Sequence, residues 1–253
     1  RGCPRWKGGD VFHISPNEQF VQRINQWADA LAAHHSSFAS QLRQLNADEL
    51  SRRLGWMPRV HPLILGERIL LPLYSDGFNL AIIALSEDAG ESWQLSEPLL
   101  SVGGVQPSLV ARRDGVIVAY MRDNGPAPNR VMTALSQDGG YRWSEVAKTD
   151  IPNPGSSIEA MVLQTGEWLM VANDTEQGRH QLAVLLSYDE GRSWQVKRYL
   201  ERESPGTGSF SYPSVIQAHD GTIHITYSYA ISTPNGRRSA IKWARFTRDW
   251  LEP

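Results

Sequence analysis

The pattern Ser-x-Asp-x-Gly-x-x-Trp occurs three times in the chain, and no other feature limits its possible folds as strongly. The copies cover residues 86–93, 136–143 and 187–194, so their starts lie 50 and 51 residues apart. Each copy follows an apolar run and precedes a mixed polar and apolar stretch. A self-similar unit that returns at a nearly fixed period is typical of repeat architectures.

Each copy has the composition of a tight turn between two strands. The Asp side chain supplies acceptors to the turn backbone, the Gly takes a positive φ, and the Trp packs on the returning strand. Asp88, Asp138 and Asp189 recur at one position of the repeat. We therefore interpret these three carboxylates as turn residues rather than as catalytic acids.

The repeat unit extends upstream by two more strands that are separated by a glycine turn. In the second unit these strands are predicted at residues 107–111 and 116–122, around Gly115. Similar pairs occur within residues 62–74 and 159–172, and a fourth unit without the turn pattern spans residues 213–247. Four strands per unit of about 50 residues predict the blades of a β-propeller.

The first 55 residues have little strand signal and predict helices instead. Residues 15–18 form a capping box with Pro at the first helical position. One helical face follows, made of Phe20, Ile24, Trp27 and Leu31. A second helix is predicted over residues 46–55, with Leu50 and Leu54 facing inward. The His34-His35 pair between them has no third ligand nearby and is expected in a solvated loop.

The predicted domain organisation has two parts. Residues 1–55 form an N-terminal segment with a helical hairpin, part of or appended to the propeller, and residues 56–253 form the blades. Propellers have four to eight blades. Either the ring is therefore small or its remaining blades lie outside this chain, and we favour the second alternative.

Bulk composition excludes several classes of partner. The chain has 253 residues and a net charge of −2, which gives no basic surface for nucleic acid. No apolar run approaches the roughly 18 residues that a membrane span requires. Neither a metal site nor a cofactor is predicted.

Propeller geometry predicts where a ligand binds. The Asp turn joins strands three and four of a blade, so the start of strand one and the turn after strand two share the opposite face. That face surrounds the central channel, where small ligands usually bind. The residues at these positions include Arg59, His61, Asp76, Gln106, Arg122, Asp123, Glu159, Asn173, Asp174, Arg179 and Tyr212.

Two chemical features stand out in this set. Arg122 and Arg179 suit an anionic ligand, because guanidinium groups stay charged and bind carboxylates bidentately. The alternative is that Arg122 pairs with Asp123 or with a carboxylate of the next blade. Tyr212 is a candidate nucleophile if a base such as Glu159 reaches it, and otherwise a structural tyrosine whose hydroxyl caps a strand.

With these residues identified, the chain resembles the sialidase (neuraminidase) superfamily, specifically the bacterial sialidase-like proteins with BNR repeats, over about residues 56–247. The resemblance rests on the three turns and on residues 67–74, 106–110, 153–156, 173–175, Arg179 and 211–214. It implies a six-bladed propeller, removal of terminal sialic acid from glycans, and a secreted or periplasmic location. In this family three arginines hold the sugar carboxylate, a Tyr paired with a Glu is the nucleophile, and an Asp is the acid and base.

The resemblance also implies roles for individual residues. Arg122 and Arg179 correspond to the second and third arginines, and Tyr212 to the nucleophile, with Glu159 as its available carboxylate partner. Gln106 stands where the family's Glu would open the blade of Arg122. In a second possible register, residues 59–63 are a broken Arg-Ile-Pro motif and Asp76 is the acid. Further substrate contacts are expected from Asp123, Asn173, Asp174 and Gln106.

Three functions follow as alternatives. The first is a glycosidase acting on sialic acid or a related acidic sugar. The second is a carbohydrate-binding propeller without catalysis, which Gln106 in place of Glu favours. The third is a polysaccharide lyase on uronic acids, in which Tyr212 abstracts a proton and arginines neutralise the carboxylate.

Overall fold

A computed structural model of the chain describes residues 14–252. Within this range three helices precede sixteen strands, and the strands form four antiparallel sheets. The helices are α1 (Glu18–Leu31), α2 (Ser36–Ala47) and α3 (Glu49–Arg53), and a 3₁₀ turn covers Arg248–Leu251. This architecture confirms the predicted all-β class with a few N-terminal helices.

Helix α1 forms where the apolar periodicity predicts it, but its cap differs. Asn17 is the N-cap, and its side chain accepts a hydrogen bond from the backbone N–H of Phe20 over 3.0 Å. The predicted cap, Ser15, and the predicted first helical residue, Pro16, both precede the helix. The predicted face is the packing face, since Phe20 and Ile24 are buried.

The second predicted helix, over residues 46–55, is wrong in its bounds and in its inward face. Helix α2 begins directly after the His34-His35 turn and ends at Ala47, where Asp48 adopts an extended backbone. Asp48 caps the short helix α3 by accepting from the Ser51 backbone N–H over 2.7 Å. Leu50 and Leu54 are 63% and 60% exposed. The cap at Asp48 ends the register of α2 and starts a new helix, so these two leucines do not continue the buried face of α2.

The strands form one sheet per predicted unit. Sheet 1 contains β1 (Trp56–Pro58), β2 (Leu63–Leu65), β3 (Arg68–Ser75), β4 (Leu80–Ser86) and β5 (Gln94–Leu95); sheet 2 contains β6 (Gly104–Ala111), β7 (Ile117–Asp123), β8 (Arg130–Ser136) and β9 (Ala147–Pro152); sheet 3 contains β10 (Glu159–Val162), β11 (Trp168–Asn173), β12 (Gln181–Ser187) and β13 (Val196–Arg202); sheet 4 contains β14 (Gly208–Gln217), β15 (Ile223–Thr233) and β16 (Gly236–Phe246). In sheet 1 both β1 and β2 pair with β3; otherwise sequential strands are neighbours in each sheet, as in a propeller blade.

Consecutive sheets pack face to face through buried apolar side chains. One cluster joins sheets 1 and 2, a second joins sheets 2 and 3, and a third joins sheets 3 and 4. A fourth cluster joins helices α1 and α2 to the other face of sheet 1. The four sheets therefore follow one another as propeller blades, and the helices cover the first of them.

The three Asp turns have the hydrogen bonds that their composition predicts. In the first, Asp88 Oδ1 accepts from the Ser92 backbone N–H over 2.8 Å, and Asp88 Oδ2 accepts from the Ser92 hydroxyl over 2.6 Å. These bonds, the side-chain bond from Ser92 above all, lower the pKa of Asp88 to about 2. The carboxylates are therefore held ionised as acceptors within the turn.

The last glycine of each of the second and third turns also contacts the sheet before it. Gly140 lies against Leu70 of sheet 1, and Gly191 lies against Tyr120 of sheet 2. Tyr120 donates a hydrogen bond of 3.3 Å to the Gly191 carbonyl. A Cβ added at Gly191 would lie 2.2 Å from the Tyr120 hydroxyl. These glycines therefore close the turn and fit the joint between two blades.

The outward face of sheet 4 carries apolar side chains. Ile216, Ile241 and Trp243 are 51%, 74% and 57% exposed. Trp243 and Ile241 lie opposite Thr226 and Ser228 of β15 in the strand register. Among the described helices, none combines the length and the apolar content that a membrane crossing needs.

Candidate active site

The innermost strand is interrupted near the same end in sheets 1, 2 and 4. In sheet 1 residues 59–62 separate β1 from β2, and both strands pair with β3. In β6 and β14 the register shifts between Val105 and Ser108 and between Ser211 and Ser214. Bulges of this kind turn side chains out of the ladder and are frequent beside active sites.

Each interruption contains polar residues. Gln106 and Tyr212 lie within the shifts of β6 and β14, and both have a φ of 55°. Arg59 and His61 lie between β1 and β2. A non-glycine residue in the left-handed region costs free energy, and such strain clusters at functional sites.

Three arginines surround Tyr212. The guanidinium carbons of Arg59 and Arg179 each lie 5.2 Å from the centre of the Tyr212 ring. Arg122 Nη1 donates to the Tyr212 hydroxyl over 3.4 Å. The structure thus brings together Arg59, Arg122, Arg179 and Tyr212, all of which the sequence places on one face.

These three arginines have few protein acceptors. Arg59 Nη2 donates to the Pro213 carbonyl over 3.1 Å, and Arg179 Nη2 donates to the Gly155 carbonyl over 2.9 Å. Within residues 14–252 none of the three forms an ion pair with a carboxylate. Burial lowers the pKa of Arg59, against the opposing influence of Glu159. The predicted alternative, a pair between Arg122 and Asp123, is therefore not formed.

Residues in or next to sheets 2 and 3 carry buried polar atoms without hydrogen-bond partners in the described range. Gln106 is 4% exposed, and its Oε1 has no hydrogen-bond partner among the described residues. The same holds for Nε of Arg122 and for the hydroxyl of Ser157. A buried polar atom that is left unpaired costs about 1–3 kcal/mol, so a polar partner would stabilise each of these groups.

Within residues 14–252 no hydrogen bond joins Glu159 to Tyr212, the residue that it was predicted to serve as base. Its Oε1 lies 2.6 Å from Nδ1 of His61 and accepts the His61 backbone N–H, and its Oε2 accepts the Val215 backbone N–H over 2.8 Å. The side chain is buried between sheets 1, 3 and 4. The predicted role of Glu159 as the base of Tyr212 is therefore not supported by its hydrogen bonds.

Other predicted site residues bind the protein itself. Asp123 is buried, accepts backbone N–H groups of Gly125 and Arg130, and pairs with Lys148 over 2.8 Å. Asn173 donates to two backbone carbonyls, and Asp174 pairs with Lys197 over 2.6 Å. Asp123, Asn173 and Asp174 therefore stabilise the surrounding turns and strands through these bonds.

Asp76 is exposed in the turn after β3. It forms no ion pair with Arg59, Arg122 or Arg179 within the described range. Three or more His, Cys, Asp or Glu side chains are nowhere grouped to hold a metal ion in residues 14–252.

The sequence matches one protein family and a relative of known activity. Residues 55–225, more than half of the chain, match the family profile of the BNR repeat-like domain. The chain is 26% identical over 173 residues to an anhydrosialidase of Macrobdella decora, a match that covers 66% of the chain and 20% of that protein.

Solved structures share the fold at lower identity. The NanB sialidase of Streptococcus pneumoniae superposes with a TM-score of 0.65 and 18% identity, covering 79% of this chain and 32% of that one. An ulvan lyase superposes with a TM-score of 0.53 and 15% identity, covering 78% and 56%. The chain thus spans a fifth to about half of the length of these proteins. Similarity at this level shows the fold alone.

Proposed function

Because the chain belongs to the BNR repeat-like domain family, we propose that it is a sialidase-like glycoside hydrolase. Its substrate is a glycan that ends in sialic acid or in a related sugar with a carboxylate. The arginine cluster, defined as Arg59, Arg122 and Arg179, binds that carboxylate. Tyr212 is the nucleophile.

The observation that carries this proposal is that three arginines without carboxylate partners in the described range surround Tyr212. Three guanidinium groups meet at Tyr212, and no carboxylate of residues 14–252 neutralises them. All three arginines are partly buried, and a cation withdrawn from water without a charged partner is costly. A ligand carboxylate removes this cost, and each guanidinium has spare N–H donors for bidentate contact.

Tyr212 suits such a ligand better than an acidic nucleophile would. A carboxylate nucleophile would be repelled by the carboxylate of the sugar, and sialidases are the exception to the scheme with two carboxylates. The adjacent guanidinium groups stabilise the negative charge that develops on the phenolic oxygen as it attacks. Gln106, whose Oε1 has no partner in the described range, adds a polar contact for the sugar.

A lyase acting on uronic acids is the second candidate, and one observation favours it. Both oxygens of Glu159 are occupied by His61 and by the backbone of Val215. Within residues 14–252, no carboxylate accepts a hydrogen bond from Tyr212. A lyase needs only proton abstraction beside a neutralised carboxylate.

The test is incubation of the protein with a fluorogenic aryl sialoside, with the matching neutral galactoside, and with a uronic acid polysaccharide. Release of the fluorophore from the sialoside alone is expected. If the protein produced the ultraviolet absorbance of an unsaturated uronate and did not cleave the sialoside, it would be a lyase and not a hydrolase. Saturable binding of sialic acid without either product would leave a carbohydrate-binding propeller.

A further inference from the structure

His61 and Glu159 form a short contact that has no part in the proposed function above. The imidazole Nδ1 lies 2.6 Å from Glu159 Oε1, and the His61 backbone N–H donates to the same oxygen over 3.2 Å. The Glu159 side chain is 4% exposed, whereas the His61 side chain is 53% exposed. A buried carboxylate therefore fixes the orientation of an imidazole that faces solvent.

The contact determines which nitrogen of His61 carries hydrogen. An ionised carboxylate only accepts, so Nδ1 is the donor and Nε2 is the remaining nitrogen. Over residues 14–252, Nε2 of His61 has no hydrogen-bond partner. An imidazole held by a carboxylate through Nδ1 and open at Nε2 has the arrangement with which histidine transfers protons in enzymes.

The pair also lies beside Tyr212. Glu159 Oε2 accepts from the backbone of Val215, three residues beyond Tyr212 in β14. From the other side Arg59, two residues before His61, donates to Pro213 and lies over the Tyr212 ring. His61 and Tyr212 are thus tied to the same end of the sheets by two separate connections.

A purely structural role does not require the imidazole. The backbone N–H groups of His61 and Val215 already give each Glu159 oxygen a donor. Any residue other than proline at position 61 supplies the first of these bonds. The imidazole adds only a titratable nitrogen at the mouth of the site.

We propose that His61 is the general acid and base of the reaction at Tyr212, with Glu159 as its positioning residue. The proposal rests on the proposed function. In the first step, Tyr212 Oη bonds to the anomeric carbon and releases its proton to water. The bond from that carbon to the leaving oxygen breaks and its electron pair stays on the oxygen. His61, which starts this step protonated at both ring nitrogens, donates its Nε2 proton to that oxygen and becomes the neutral imidazole.

The second step reverses these roles. A water molecule attacks the anomeric carbon while His61 Nε2 takes its proton. The bond to Tyr212 Oη breaks, its electrons remain on the phenolate oxygen, and the phenolate regains a proton from water. His61 and Tyr212 thus return to their starting states.

The test compares leaving groups. An aryl alcohol leaves readily without a proton, but an alkyl alcohol needs one, so loss of a general acid affects alkyl substrates more. We therefore compare kcat/KM for 4-methylumbelliferyl and methyl sialosides in wild type, His61→Gln, Asp76→Asn and His34→Gln. Asp76 is the rival acid, and exposed His34 between α1 and α2 is the matched control.

His61→Gln is expected to lower kcat/KM on the methyl sialoside by about 10²–10⁴-fold and on the aryl sialoside by less than tenfold. Asp76→Asn and His34→Gln should change both substrates equally. Equal losses in His61→Gln, or a leaving-group effect in Asp76→Asn, would overturn the role of His61 and leave the hydrolase standing.

If wild type cleaves neither sialoside, the proposed function fails. A binding measurement then tests whether His61 contacts a ligand at this site. Nitrogen-15 NMR of the histidines follows titration with the 2,3-unsaturated analogue of sialic acid. A shift at Nε2 of His61 would support its contact with the ligand. Binding without that shift, or no binding, would overturn the inference.

Discussion

Gln106 of β6 and Tyr212 of β14 have the same left-handed backbone, with a φ of 55° at each, and each precedes a proline. In both strands the ladder shifts at this point. Two sheets therefore use one local device to turn a side chain out of the ladder. The strain, about 1–2 kcal/mol per residue, is the cost of that placement.

Removal of the Tyr212 hydroxyl separates catalysis from binding. Tyr212→Phe keeps the ring over which Arg59 and Arg179 lie. We expect kcat on an aryl sialoside to fall by about 10³-fold or more, since the nucleophile is lost. The Kd for the unsaturated sialic acid analogue, measured by calorimetry, should change by less than about threefold. Tyr188→Phe, at an exposed tyrosine, is the control. Hydrolysis that survives in Tyr212→Phe would show that Tyr212 is not the nucleophile.

Loss of one arginine should weaken binding of acidic sugars selectively. Arg59→Met keeps apolar bulk but removes a guanidinium that has no carboxylate partner in the described residues. A charge-assisted contact contributes about 1.5–3 kcal/mol, so Kd should rise by about 10–100-fold. Calorimetry with sialic acid checks this, with exposed Arg237→Met in β16 as control. An unchanged Kd would place the carboxylate elsewhere.

Gly191→Ala tests the contact between blades. The added Cβ would lie 2.2 Å from the Tyr120 hydroxyl and 2.7 Å from the Trp168 ring, at a φ of +80°. Overpacking and backbone strain together should destabilise the fold by about 3 kcal/mol. Gly221→Ala is the matched control, because its φ is +83° and no heavy atom lies within 4 Å of its added Cβ. Its cost should be about 1 kcal/mol.

Thermal denaturation compares these two glycine variants with wild type. For a chain of this size each kcal/mol shifts Tm by about 2–4 °C. Gly191→Ala should therefore melt well below Gly221→Ala. Equal Tm values would show that the joint has room for a methyl group.

The Asp turns predict sensitivity to acid. Burial raises the pKa of Asp189, but hydrogen bonds from Ser193 and Ser187 lower it more, to about 2 from 3.8. A carboxylate with a depressed pKa in the folded state stabilises it above the unfolded pKa, and this contribution is lost as pH falls through the folded value. The stabilisation by Asp189 is thus complete above about pH 4 and decreases toward pH 2.

Urea unfolding at pH 6 and at pH 2.5 measures this effect. The difference in stability between wild type and Asp189→Asn should be smaller at the lower pH. Asp150→Asn, at an exposed carboxylate in β9, provides the comparison. If wild type and Asp189→Asn differed in stability by the same amount at both pH values, protonation of Asp189 would not contribute to the loss of stability in acid.

Much of the fold could be predicted because its signals are local. The turns around Asp88, Asp138 and Asp189 use only side chains within eight residues, so the sequence shows them directly. The buried face of α1 likewise follows from periodicity. The end of α2 could not be predicted in this way, since the cap at Asp48 competes with an apolar pattern that continues to Leu54.

The site was harder to predict because it depends on how sheets sit beside each other. Arg122, Arg179 and Tyr212 follow from the period of the repeat, which fixes the end of the blade they occupy. The partner of Glu159 depends on the rotation between sheets 1, 3 and 4, and no spacing in the sequence encodes it. Arg59 and His61 lie in an interrupted strand, where the sequence allows a second register besides the one that residues 68–74 favour.

The position of Gly140 and Gly191 has a consequence for how such chains change in length. Each of these turns completes its own blade and also fits the blade before it. The unit of about 50 residues therefore carries its own connector. A gene segment that encodes one unit can be duplicated or deleted together with this connector, so blade number can change without redesign of the neighbouring sheets.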